Sequence, residues 1–126
     1  MTFKAVCFDL DGTLLDTIED LTDAMNHALG QLGLPQRSVE ECKLFVGDGI
    51  RVYAEKAMGP AGRDEDLLNR CITLSREEYS KRWADKTRPY DGIAELLDEL
   101  TARGLKMTVL SNKPDDFTRL MVERLL

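Results

Sequence analysis

Two aspartates one residue apart, Asp9 and Asp11, are the residues of this 126-residue chain that most directly suggest chemistry. They follow a short apolar run, residues 5–8, which predicts a fully buried strand of a parallel sheet. Two carboxylates this close repel each other and lose water, so a positive group must compensate or one carboxylate must hold a proton. A bound divalent cation would offset both the repulsion between the carboxylates and their loss of hydration. We therefore expect metal-assisted chemistry at the carboxyl end of this strand; the alternative is an ordinary acidic turn that ends the strand.

This stretch resembles motif I of the haloacid dehalogenase superfamily of phosphotransferases, in which Asp-x-Asp-Gly-Thr follows an apolar strand. The resemblance implies that Asp9 is the nucleophile, that Asp11 is the general acid and base, and that both help to bind Mg²⁺. General chemistry agrees. A carboxylate can attack phosphorus in line once the phosphoryl oxygens are neutralised, and a protonated carboxyl group can give its proton to the leaving oxygen and then take one from water.

A second apolar run, residues 105–110, predicts another strand, and it ends in the polar sequence Ser111-Asn112-Lys113-Pro114. A right-handed crossover makes the two strands parallel, and neighbouring strand ends lie about 5 Å apart. The ending resembles motif II of the same superfamily, which implies that Ser111 and Asn112, together with Thr13, bind the phosphoryl group. A polar turn without that role is the alternative. Lys113 is not assigned the role of the family's motif III lysine, which lies on a later element.

The Ser-Asn-Lys-Pro wording, with a helical insertion directly after motif I, looks like the phosphoglycolate phosphatase branch of the superfamily. In that branch a glycine-rich turn before a helix of the insertion helps to select the substrate, which implies this role for Gly47 and Gly49. Arg51, at the start of the following predicted helix, would add positive charge. The free N–H groups at a helix amino end attract anions, but a plain turn between helices explains these glycines equally well. Thr13, with Asp11, favours a phosphatase over a phosphomutase.

The intervening sequence has apolar residues at helical spacing and predicts about four amphipathic helices. We expect an α/β fold, a Rossmannoid parallel sheet like that of the haloacid dehalogenase superfamily, formed by residues 1–14 and 89–126, with an α-helical cap inserted as residues 15–88. The family's motif III lysine and motif IV acids belong to later strand–helix units, roughly 60–90 further residues. We therefore expect the chain to be a truncated fragment with an incomplete core.

A net charge of −6 argues against a nucleic-acid partner. We expect no membrane segment and no signal peptide, and three unpaired cysteines favour a cytoplasmic protein. The interpretation we favour is a Mg²⁺-dependent phosphatase that hydrolyses a small phosphorylated metabolite resembling 2-phosphoglycolate, through an aspartyl-phosphate intermediate. The alternatives are a phosphomutase or phosphonate hydrolase on the same fold, and an inactive fragment that acts only as a helical interaction module.

Overall fold

A computed structural model describes residues 3–126, so residues 1 and 2 of the predicted core segment lie outside the described part. The strands are β1 (Ala5–Phe8), β2 (Leu15–Asp16), β3 (Arg88–Pro89) and β4 (Lys106–Val109). The helices are α1 (Ile18–Gln31), α2 (Val39–Phe45), α3 (Ile50–Met58), α4 (Glu65–Arg82), α5 (Ile93–Ala102) and α6 (Asp115–Leu125), with a short 3-10 helix at Gly59–Arg63.

Strands β1 and β4 pair in parallel, with Ala5 beside Lys106 and Phe8 beside Val109, as the crossover argument predicted. The prediction that residues 5–8 are fully buried is wrong, because Ala5 and Cys7 are exposed. Within residues 3–126 this sheet has two strands, and Phe8 and Val109 pack toward α5 and α6. One face is therefore covered, and side chains that alternate along β1 reach solvent on the other.

Helices α1 to α4, which we call the helical unit (residues 18–82), pack around a shared apolar core. Local sequence signals set several of their ends. The sequence Ser38-Val39-Glu40-Glu41 predicts a capping box for α2, and the structure confirms it: the Ser38 hydroxyl accepts a hydrogen bond from the Glu41 N–H, and the Glu41 carboxylate accepts one from the Ser38 N–H. The sequence also predicts that a helix begins at Asp64, whose carboxylate accepts hydrogen bonds from the Asp66 and Leu67 N–H groups and so caps α4. The core consists of Met25, Ala28, Leu29, Cys42, Tyr53, Ala54, Ala57, Met58, Leu68 and Cys71.

Two other helix starts differ from what their sequences predict. The sequence predicts Asp16 or Thr17 as the cap of α1, but Thr17 precedes the helix without a capping hydrogen bond, and its hydroxyl donates to Asp11 instead. The sequence predicts Asp115 as the cap of α6, but this helix begins after Pro114, and Asp115 lies in its first turn, where its carboxylate accepts a hydrogen bond from Arg119 Nε at 2.6 Å.

The two chain segments that join the sheet to the helical unit run side by side. Strands β2 and β3 form a short antiparallel pair that the sequence did not predict, with Leu15 beside Pro89 and Asp16 beside Arg88. The buried Asp20 carboxylate, in the first turn of α1, accepts hydrogen bonds from the Lys86 and Thr87 N–H groups and from the Thr87 hydroxyl. The two connections are therefore bonded to each other. The division into a core and a cap at these connections stays a prediction.

Across residues 3–126, a search for a helix with the length and apolarity needed to cross a bilayer finds none.

Candidate active site

A cleft of about 740 Å³ opens between the carboxyl ends of β1 and β4 and the helical unit. The parallel pairing of the two strands places their polar endings at the same edge. The cleft is lined, among others, by Asp9, Asp11, Gly12, Lys43, Gly47, Gly49, Arg76, Tyr79, Ser111, Asn112 and Lys113. The sequence thus predicted which two chain segments meet here, although they are about 100 residues apart along the chain.

Asp9 follows β1 directly and has an exposed side chain, which is the accessibility that the predicted nucleophile role requires. Its Oδ1 atom accepts a hydrogen bond from the Leu10 N–H at 2.9 Å. Leu10 is fully buried and anchors this turn. Gly12 follows with a φ of 78°, a left-handed conformation that residues with a side chain rarely adopt. The turn therefore presents Asp9 to the cleft on a fixed backbone.

Asp11 is held from two sides. Its Oδ1 atom accepts a hydrogen bond from the Thr17 hydroxyl at 2.8 Å and another from Lys113 Nζ at 3.0 Å. Thr17 stands just before α1, and Lys113 lies in the loop after β4. Oδ2 of Asp11 accepts no hydrogen bond from residues 3–126 and is the oxygen that remains available to a ligand.

Lys113 is buried, with its side chain only 4% exposed, although it carries an ammonium group. Nζ also donates to the Tyr79 hydroxyl at 2.8 Å and lies 4.4 Å from the centre of the Tyr79 ring, so cation–π attraction adds to the hydrogen bond. Burial lowers the pKa of Lys113, and the charge of Asp11 opposes that shift. Burial also raises the pKa of Tyr79, and the neighbouring Asp11 charge adds to this, so the phenol keeps its proton.

The loop after β4 touches both the sheet and the helical unit. The Ser111 hydroxyl accepts a hydrogen bond from the Lys113 N–H at 3.1 Å, which folds the loop into a tight turn at the end of the strand. The Asn112 side chain donates to the Gly47 carbonyl at 2.9 Å. The predicted phosphate-binding residues Ser111 and Asn112 thus line the cleft, whereas the third, Thr13, is exposed and is not among the residues that line it.

Of the three predicted substrate-binding residues of the helical unit, two line the cleft and one does not. Gly47 and Gly49 line the cleft, and a side chain at Gly49 would approach the Asn112 carbonyl to 3.5 Å. Arg51 does not line it. Its guanidinium group is bound to Glu65 at 2.7 and 2.9 Å and lies 3.2 Å from Glu55, on the outside of the helical unit. Glu55 lies one helical turn after Arg51 on α3, and Glu65 is the first residue of α4. Arg51 therefore reaches both carboxylates.

The donor atoms at the cleft suit part of a magnesium shell. Mg²⁺ prefers oxygen ligands, usually one or two carboxylates with waters and substrate phosphate oxygens. The Asp9 carboxylate and the Asp11 main-chain carbonyl offer such atoms, and no cluster of three or more histidine, cysteine or acidic side chains that could hold a metal occurs in the described residues. Asp9 and Asp11 would therefore supply two of the oxygen ligands, and water and substrate would have to supply the others.

Sequence reasoning missed that Thr17 and Lys113 both donate hydrogen bonds to Asp11. The apolar spacing of α4 predicts Tyr79 on its apolar face, but the Tyr79 hydroxyl also accepts a hydrogen bond from Lys113 and donates to Met121 Sδ. The signal that could have found this site was a lysine in the polar loop that follows β4. Its partner, however, is 102 residues away in sequence, so no local pattern identifies it.

Comparison with known proteins adds three findings. A family model described as haloacid dehalogenase-like hydrolase matches residues 6–126. A phosphoglycolate phosphatase from Nitrosospira multiformis is 36% identical over 121 residues, which are 94% of this chain and 53% of that protein. One from Caulobacter vibrioides is 37% identical over 110 residues, which are 86% of this chain and 46% of that protein. The chain thus spans about half the length of the curated relatives it matches.

Solved structures agree with the fold. The crystal structure of a predicted phosphoglycolate phosphatase from Haemophilus somnus superposes with a TM-score of 0.88 at 29% identity, covering 98% of this chain and 58% of that one. The structure of a predicted phosphatase from Clostridium acetobutylicum gives a TM-score of 0.85 at 26% identity, covering 98% of this chain and 56% of that one. These matches confirm the α/β fold class that the motifs predicted.

Proposed function

Because the chain belongs to the haloacid dehalogenase-like hydrolase family, we propose that it carries the nucleophile and the acid–base residue of a phosphatase that acts on a small phosphorylated metabolite. One observation supports this most strongly. Asp9 and Asp11 at the end of β1 and Ser111 at the end of β4 line the same cleft, beside a helical unit that partly covers it. The names of the relatives make 2-phosphoglycolate the first substrate to test.

In this proposal the exposed Asp9 carboxylate attacks phosphorus, the bond to the leaving oxygen breaks, and an aspartyl-phosphate forms. Asp11 gives the proton on Oδ2 to the leaving alkoxide and then takes a proton from the water that attacks the aspartyl-phosphate. The Ser111 hydroxyl and the Asn112 N–H bind the phosphoryl oxygens. When bound at Asp9 and Asp11, Mg²⁺ neutralises phosphoryl charge and so lets one anion approach another.

The helical unit has a second role in the proposal. It closes one side of the cleft, and the loop at Gly47 contacts the loop after β4 through Asn112. A covered site keeps bulk water away from the acyl phosphate until the leaving group has departed. The paired connections at β2 and β3 are the places where the helical unit would hinge relative to the sheet.

The test is phosphate release from 2-phosphoglycolate and from an aryl phosphate in the presence of Mg²⁺. Asp9→Asn keeps the shape of the side chain and removes its nucleophilic carboxylate, so we expect its turnover to fall by at least about 10³-fold with the circular dichroism spectrum unchanged. Asp98→Asn is the matched control, because Asp98 lies on α5 with an exposed side chain. It should keep wild-type turnover.

Three outcomes would contradict the proposal. Turnover by the Asp9→Asn variant at the wild-type rate would exclude Asp9 as the nucleophile. An absence of Mg²⁺-dependent release from the wild-type chain, together with binding of another protein by the folded helical unit, would favour the interaction module instead. A product in which the phosphoryl group has moved within the substrate would indicate a phosphomutase.

A further inference from the structure

The most unusual feature of the cleft is a buried lysine that connects the sheet to the helical unit. Lys113 Nζ lies between the Asp11 carboxylate and the Tyr79 hydroxyl, at 3.0 and 2.8 Å. Tyr79 belongs to α4, and Asp11 follows β1. An ammonium group loses much of its hydration when buried, so it remains there only if its partners are well placed.

We propose, on the basis of the function proposed above, that Lys113 is a positioning residue. It anchors Oδ1 of Asp11 to Tyr79 of the helical unit and so aims Oδ2 at the leaving oxygen.

The backbone around Lys113 is fixed in a way that suits this role. Its N–H donates to the Ser111 hydroxyl, and Pro114 follows it directly. The Thr118 N–H, in the first turns of α6, donates to the Pro114 carbonyl at 3.0 Å. These hydrogen bonds hold the loop against β4 and α6, so the lysine side chain starts from a fixed backbone position.

Asp11 is also bound to the helical unit on its other side. The Thr17 hydroxyl, directly before α1, donates to the same Oδ1 atom that Lys113 contacts. Oδ1 of Asp11 thus accepts one hydrogen bond from the segment that enters α1 and another from Lys113, which also donates to Tyr79 on α4.

This arrangement distinguishes the two oxygens of the Asp11 carboxylate. Oδ1 accepts both hydrogen bonds, whereas Oδ2 accepts none from residues 3–126. Lys113 therefore fixes the rotation of the carboxylate and leaves Oδ2 as the oxygen that can reach a leaving group.

The first test does not require activity. Chemical denaturation midpoints are measured for Lys113→Met, Tyr79→Phe, Asp11→Asn and the double variants that include Lys113→Met. If Lys113 bridges Asp11 and Tyr79, each double variant loses less stability than the two single variants lose together, because the second substitution removes a contact that is already broken. Additive losses of stability for both Lys113–Tyr79 and Lys113–Asp11 would overturn the proposal that Lys113 bridges these residues.

The second test measures kcat and KM for 2-phosphoglycolate. Lys113→Met should lower kcat about 10- to 100-fold while KM changes little, because the ammonium group faces Asp11 and Tyr79. Lys113→Arg should restore part of kcat, and Tyr79→Phe should show a smaller loss. Lys106→Met is the matched control, since Lys106 is an exposed lysine on β4, and it should keep the wild-type values.

The outcomes separate this inference from the function it rests on. A Lys113→Met variant with wild-type kcat, in a chain whose wild type is active, would overturn the positioning role alone. No hydrolysis by the wild type would contradict the proposed function, and the denaturation test would then decide by itself whether Lys113 joins Asp11 to Tyr79.

Discussion

At the scale of single residues, burial gives chemically identical side chains different properties. Cys7 on β1 is exposed, whereas Cys42 and Cys71 are buried in the core of the helical unit. Burial raises the pKa of the Cys71 thiol from 9.0 to about 11, because a low-dielectric surrounding disfavours the thiolate. The folded chain therefore keeps the Cys71 proton at a pH where the unfolded chain begins to lose it, and the stability that this proton contributes declines as the pH rises from about 9 toward 11.

We predict that a thiol reagent at about pH 8 modifies one cysteine of the native chain and three after unfolding, since the thiolate is the reactive form and exposure controls access. The measurement is the number of modified thiols, with Cys7→Ser as the control that removes the native reaction. Rapid modification of all three cysteines in the folded protein would contradict the packing of the helical unit.

The same scale shows where sequence reasoning stopped. Asp9 and Asp11 could be recognised because their spacing and the strand before them are local features. The hydrogen-bond partners of Asp11 could not be recognised from the sequence, since Lys113 becomes a neighbour of Asp11 only through the parallel pairing of β1 with β4. Arg51 illustrates the opposite error. A cation near a glycine-rich turn suggested an anion site, but Glu55 and Glu65 already neutralise it.

At the scale of elements, the helix starts follow their local signals when no stronger partner competes. Ser38 and Asp64 cap their helices, because their side-chain oxygens accept hydrogen bonds from N–H groups in the first turns of α2 and α4. Thr17 donates to Asp11 instead of capping α1. The β2–β3 pair escaped prediction because two-residue strands have no periodicity to detect.

Asp20 is the residue that ties these connecting elements together. Its carboxylate is 1% exposed and accepts hydrogen bonds from the Lys86 and Thr87 N–H groups at 2.9 Å and from the Thr87 hydroxyl at 2.7 Å. Three donors thus converge on one buried acceptor group. The connection that enters β3 therefore moves with α1.

We predict that Asp20→Asn lowers the free energy of unfolding by about 2–4 kcal/mol, because the amide group loses an acceptor oxygen and turns a donor toward buried donors. Asp23→Asn is the matched control on the same helix. Asp23 pairs with the exposed Lys86 Nζ at 2.9 Å, and its loss should cost less than about 1 kcal/mol. Equal losses for the two variants in urea denaturation would contradict the role assigned to Asp20.

At the scale of the whole molecule, the helical unit and the sheet differ in how well they are enclosed. The helical unit surrounds its own apolar core, whereas Phe3 and Leu110, at the two ends of the sheet, are 71% and 74% exposed. The fold class was predictable, because a strand, a helical insertion and a second strand with a crossover leave few topologies. The burial of individual residues along β1 was not predictable, since it depends on which elements cover each face of the sheet.

The proposed function depends on covalent phosphorylation of Asp9. The most direct measurement is to quench the reaction with 2-phosphoglycolate and Mg²⁺ in acid, digest the protein and locate the phosphoryl group by mass spectrometry. We predict one phosphorylated residue, Asp9, in the wild type and none in Asp9→Asn. Phosphate release without a phosphorylated Asp9, or a phosphoryl group on another residue, would contradict it.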